Sequence, residues 1–243
     1  MRRREFLVTG SAAAVLVASS NVASTSPISL MVAPELSDAN ELSPPDGPIQ
    51  VAFAISRGAT MIDFAGPWEV FQDVMIRNSK GQESHRHPFS LYTVSEKTDP
   101  IEASSGMKII PDHTFETAPA PKVVVIPAQA GSPALHAWLR KIVDLTDVTM
   151  SVCTGAFQLG RAGLLSGKEA TTHHDSFDQF ATAFPDVKLK RGLRFVENAK
   201  ISTAGGLTSG IDLALRVVER YFGRETAEQT ALYMEYQSKG WIV

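Results

Sequence analysis

The chain has 243 residues, 44% of them hydrophobic, enough to bury a large core in one domain of roughly 200 residues. A formal net charge of −3 and a pI near 6.1 leave no basic footprint for a nucleic acid and no acidic tail. A single cysteine excludes an intramolecular disulfide framework, and the six scattered histidines lack the paired spacing of metal ligands.

The start, Met1-Arg2-Arg3-Arg4-Glu5-Phe6-Leu7, is followed by an uncharged run of small and apolar residues from Val8 to about Ala18. Residues 1–27 resemble a twin-arginine export signal. The apolar run is shorter than the ~20 residues a membrane span needs, so no stable membrane insertion is expected. Delivery to the periplasm or beyond is the expectation. Residues 28–48 are rich in Ser, Pro, Asn and Asp without periodicity and read as a disordered linker, which leaves 49–243 as the folded domain.

Within that domain, Ile49 to Ile55 has strand length and composition, and Gly58 opens the turn after it. Pro67 suits the first turn of a helix carrying Trp68, Phe71 and Met75 on one face, which puts Asp63 just before that helix. Phe89 to Ser95 is a second strand, and Ile101 to Ile110 a small hairpin broken by Ser104-Ser105-Gly106. Lys122 to Ile126 is continuously apolar after its lysine, as in a strand covered on both faces. Ser132-Pro133 then caps a helix with Leu135, Trp138, Leu139, Ile142 and Val143 on one side.

The next strand ends at Cys153, and Gly155 opens a segment in which Ala156, Leu159, Gly163 and Leu164 recur at helical spacing. A thiol at such a corner faces the unpaired amides and positive end of the following helix, which favours the nucleophilic thiolate. Further on, Ala170 to His173 reads as a short strand and its exit, and Asp175 to Phe184 as a helix stopped by Pro185. Two short strands turn at Glu197-Asn198, and Gly205-Gly206 lead into a helix carrying Ile211, Ala214, Leu215, Val218, Tyr221 and Phe222, ended by Gly223. A last helix is expected over 226–237. Strands alternating with helices imply a parallel sheet covered on both faces, with ligands at the carboxyl ends of the strands; Asp63, Gly131, Cys153 and His173 are expected there.

Four ordered segments carry a resemblance to a known family. They are Asp63-Phe64-Ala65-Gly66-Pro67, Val152-Cys153-Thr154-Gly155-Ala156, Gly163 to Gly167 with Ala170-Thr171-Thr172-His173, and Thr203-Ala204-Gly205-Gly206. From about Ile49 to Trp241 the chain resembles the ThiJ/PfpI superfamily, relatives of class I glutamine amidotransferases. The resemblance implies a flavodoxin-like three-layer α/β/α sandwich with a mainly parallel sheet and a nucleophile elbow. The Asp-x-x-Gly-Pro and Cys-Thr-Gly forms, with Ala227 to Tyr236 near the end, are most similar to bacterial isocyanide hydratases and to the sensor domains of AraC-type regulators.

The same resemblance implies Cys153 as nucleophile, Asp63 as neighbouring carboxyl group, and Thr154 as donor of an N–H to developing charge. Thr60 and Ile62 would line the pocket, with Gln129, Gly131, His173 and Gly206 around it. Gln129 belongs to Pro127-Ala128-Gln129-Ala130-Gly131, which stands where many members have Pro-Gly-Gly. The position after the cysteine is Thr154 and not the histidine of the protease-like branch, which disfavours proteolysis. The expected activity is hydration of an isocyanide to an N-substituted formamide, without cofactor or metal and with a small-molecule substrate. Turnover of small aldehydes and a non-enzymatic role in binding or oxidant sensing are the alternatives. The resemblance also implies a homodimer. Export, and the short stretch after Gly223, argue against a DNA-binding regulator.

Overall fold

The computed structural model describes residues 41–77, 83–84 and 87–243, so the export-signal expectation and most of the linker lie outside it. Seven strands build the central sheet: β1 (Ile49–Ala54), β2 (Phe89–Ser95), β3 (His113–Thr114), β4 (Val123–Ile126), β5 (Val148–Val152), β6 (Phe195–Asn198) and β7 (Ile201–Ala204). Their spatial order is β6-β7-β5-β4-β1-β2-β3, and every neighbouring pair is parallel except β6 with β7. Among the described residues the α-helices are α1 (Met61–Gln72), α2 (Pro133–Ile142), α3 (Ala156–Arg161), α4 (Phe177–Ala183), α5 (Ser209–Phe222) and α6 (Arg224–Tyr233).

Alternation along the strands divides the interior into two cores. Val51 and Phe53 of β1, with Val123 and Val125 of β4, face α1, α5 and α6, where they meet Val70, Phe71, Leu213 and Ala227. Ala52, Ala54, Val124 and Ile126 face the other way, onto Leu139 of α2, Leu159 of α3 and Phe180 of α4. The result is a three-layer α/β/α sandwich. A strand apolar on both faces reads as an unbroken hydrophobic run, which is why β4 is legible in the sequence.

Several boundaries differ from the sequence reading. Helix α1 begins at Met61, six residues before Pro67, so Asp63 is the third residue of the helix and does not precede it. The helix after Cys153 has only six residues, and a 3₁₀ turn over Cys153–Gly155 comes before it. Glu169–Ala170 pairs with Lys188–Leu189 in a separate two-stranded ribbon, so His173 does not leave a strand of the central sheet. Helix α6 stops at Tyr233, with Glu235 at φ +52°. Within the described part of the linker there is no regular structure, yet the Leu42 N–H donates to the Arg220 carbonyl (2.8 Å) and its side chain packs on the core.

Candidate active site

Sheet register brings three loops together. Ile126 lies opposite Ser151, and Val152 opposite Ala204, so the segments beginning at Pro127, Cys153 and Gly205 leave the sheet side by side. The Cys153 N–H donates to the Gly205 carbonyl (2.7 Å), and the Thr172 hydroxyl donates to the Cys153 carbonyl (3.0 Å). Between these anchors Cys153 adopts φ +58°, a left-handed conformation that a side chain occupies only where its surroundings impose it. Gly155 permits the sharp turn, because a Cβ there would stand 2.2 Å from the Ile126 carbonyl oxygen.

Asp63 reaches the same point from α1. It is completely buried, and its Oδ2 accepts the Ala128 N–H at 3.1 Å, while Oδ1 is buried without a hydrogen-bond partner among the described residues. Thr60 places this turn: its N–H donates to the Ala128 carbonyl (2.9 Å), and its carbonyl accepts the Asp63 N–H (3.1 Å). Burial pushes the Asp63 carboxyl up to about 6, against the stabilising effects of the Ala128 N–H and the Cys153 thiol.

The thiol is shifted in the same direction. Burial first, then the Asp63 charge, pushes Cys153 up to about 11; the N–H groups of Thr154 and Leu207 and the Thr154 hydroxyl act on the sulfur the other way. The helix-terminus effect expected to favour thiolate is thus opposed at this corner by burial and by the Asp63 charge, and the helix behind the elbow is only six residues long. The two backbone donors form a place for negative charge on the sulfur or on an atom bonded to it. Ala128 and Leu207 act through backbone N–H groups, which carry no side-chain signature. Only the Gly205-Gly206 pair before Leu207 hints at a loop that approaches closely.

Other expected positions serve as walls or supports. Ile62, next to Asp63, is 37% exposed at the surface of α1. Gln129 turns away to donate from Nε2 to the Ala54 carbonyl (2.8 Å). Gly131 has φ +71°, donates its N–H to Ser56 Oγ (2.9 Å), and lies so close to Gln158 that a Cβ would be 2.1 Å from Oε1. These contacts make Gln129 and Gly131 scaffold of the loop after β4. The His173 ring covers Gly206, where a Cβ would lie 2.4 Å from Cδ2. His173, His174 and Asp175 bring donor atoms within 4.8 Å of one another, but they are turned on each other: the Asp175 N–H donates to His173 Nδ1, and its carboxylate pairs with His174 Nδ1.

The profile of the DJ-1/PfpI family matches residues 49–220, which take in every strand of the central sheet and all of the loops just described. The chain belongs to the DJ-1/PfpI family. Among its relatives, the isonitrile hydratase of Pseudomonas putida is 30% identical over 194 residues, which cover 77% of this chain and 78% of that protein. The HTH-type transcriptional regulator CdhR of Pseudomonas aeruginosa is 31% identical over 153 residues, 60% of this chain but 45% of the regulator. A ThiJ/PfpI family protein from Pseudomonas syringae superposes with a TM-score of 0.67 at 26% identity, covering 87% of this chain and 84% of that one. DJ-1beta of Drosophila melanogaster shares the fold, with a TM-score of 0.66 at 16% identity over 79% of this chain and 100% of its own.

Proposed function

We propose that this DJ-1/PfpI protein is an exported, cysteine-dependent hydratase of organic isocyanides (isonitriles), releasing N-substituted formamides. The observation that carries the reading is the buried Asp63 carboxyl group, with one oxygen held by Ala128 and the other unpartnered, beside the Cys153 thiol. Similarity to the isonitrile hydratase over most of both chains supports the substrate class.

In this reading Asp63 is the base that takes the thiol proton as sulfur attacks the terminal carbon of R–NC. The S–C bond forms, and the same proton passes from Asp63 to that carbon, giving the thioimidate R–N=CH–S–Cys153. Thr154 and Leu207 N–H groups hold charge on the sulfur while it develops. Asp63 then takes a proton from water as the oxygen adds to the carbon. The C–S bond breaks, the sulfur and the nitrogen end protonated, and R–NH–CHO leaves. The sum is isocyanide plus water to formamide, with no net oxidation.

Location in the periplasm or outside the cell, and a homodimeric state, complete the proposal. The test is turnover by the purified protein of an aryl isocyanide, with methylglyoxal in parallel, each against Cys153→Ser. Cysteine-dependent formamide formation is expected. Loss of methylglyoxal alone would move the protein to the aldehyde branch, and inactivity on both would end the hydratase reading.

A further inference from the structure

The Leu207 N–H that hydrogen-bonds the Cys153 sulfur comes from a residue with left-handed backbone. Leu207 has φ +50° and is 45% exposed, so its own side chain does not hold it in place. What holds it lies behind. The Gly205 N–H donates to the Arg194 carbonyl (2.9 Å), and Arg194 Nη2 donates to the Thr208 hydroxyl (3.1 Å), so one arginine grips the loop on both sides of Leu207. The Arg194 guanidinium in turn pairs with Oδ2 of Asp212, a fully buried carboxylate in the first turn of α5. Oδ1 of Asp212 accepts from the Tyr236 hydroxyl (3.1 Å) and from Ser238 Oγ (3.1 Å). The Tyr236 hydroxyl also lies 3.3 Å from the Thr208 carbonyl. A buried carboxylate is tolerated only when fully paired, and both oxygens of Asp212 are engaged in fixing this loop or the segment after α6. Trp241, 1% exposed, closes that segment onto the core.

We infer that Arg194, Asp212 and Tyr236 form a clamp that positions the Leu207 N–H against the Cys153 sulfur, so that the chain beyond α6 is a working part of the active site. These are positioning residues, since none contacts the sulfur. The inference gives a role to the Tyr236 end of the Ala227 to Tyr236 segment, which the proposed chemistry leaves unused. It rests on Cys153 being the nucleophile, but not on the identity of the substrate.

The test is the pH profile of Cys153 alkylation by iodoacetamide, followed by mass, in the full chain and in Arg194→Gln, Arg194→Lys and Tyr236→Phe. Losing an N–H donor to a charged acceptor moves the midpoint of thiolate formation upward by about one pH unit, or about tenfold in rate at fixed pH. That shift is expected for Arg194→Gln, with a smaller one for Tyr236→Phe and partial recovery in Arg194→Lys. A loosened fold would instead expose the thiol and speed alkylation at every pH, which would overturn the clamp. Should Arg194→Gln fail to fold, Tyr236→Phe, which removes one oxygen, decides alone. A folded variant whose profile superposes on the parent's overturns the clamp as well. Because alkylation needs no substrate, that result is separate from any failure of isocyanide turnover, and an unreactive Cys153 in the parent would instead overturn the nucleophile on which the clamp depends.

Discussion

The Ala128 N–H donates to Oδ2 of Asp63 at 3.1 Å, joining the loop after β4 to the first turn of α1 across 65 positions of sequence. The bond fixes the carboxyl plane while leaving Oδ1 buried and unpartnered, the arrangement a proton shuttle requires.

Replacing Asp63 with asparagine separates two effects that the wild-type pair combines. The amide cannot take the thiol proton, so kcat/KM with the turned-over substrate should fall by about 10² to 10⁴ in Asp63→Asn. The Asp63 charge also raises the thiol, so its removal should make Cys153 alkylate at lower pH than in the parent. Slower turnover by a more acidic thiol is the expected signature. A variant that keeps full turnover would remove Asp63 from the mechanism.

What the sequence discloses follows from what its residues can signal. The elbow is readable because an apolar strand ends at a lone cysteine with Gly155 two positions on, and Gly155 is required by the closeness of the Ile126 carbonyl. Asp63 is legible as a site residue but misplaced, because Pro67 looks like a helix start. In the structure Pro67 is the seventh residue of α1, where its missing N–H leaves only the Asp63 carbonyl without a donor in the helix ladder. The sequence overextends α6 because Tyr236 turns back toward Asp212, a tertiary contact that overrides helix-forming residues. Leu207 is invisible, since the group it contributes is present in nearly every residue.

Asp63 also sets a pH dependence of stability. Its folded-state value of about 6 lies above the ordinary 3.8, so the folded chain holds this proton more tightly than the unfolded one. The resulting stability is complete below about pH 4 and is lost as pH rises through about 6. Asp63→Asn has nothing to lose in that window, so it should gain on the parent as pH rises through it, by up to about 3 kcal/mol at the upper plateau. Urea unfolding at pH 4, 5, 6 and 7 measures the gap, and a gap that does not change with pH would show that the carboxyl is not held in this way.

Turnover of the parent should follow the same group in the opposite sense. The carboxylate is the competent base, so kcat/KM should rise with pH through about 6 and level off before the thiol titrates near 11. A rise centred instead at about 8 to 9, the ordinary thiol range, would mean that Cys153 works as a preformed thiolate.

The elbow backbone makes a prediction contrary to ordinary side-chain preference. At most positions alanine stabilises relative to glycine, by limiting the unfolded chain. Cys153 has φ +58°, where any Cβ costs about 1–2 kcal/mol and glycine costs nothing. Both Cys153→Ala and Cys153→Gly remove the sulfur and its burial near Asp63, so the loss of that packing is common to the two. Cys153→Gly should therefore be the more stable of the pair by a few tenths to about 1 kcal/mol, once the larger freedom of glycine in the unfolded chain is subtracted. Thermal unfolding of the two inactive proteins reads the difference directly. Alanine emerging as the more stable would mean that the left-handed turn stores no strain, and that the nucleophile is not being held against its own backbone preference.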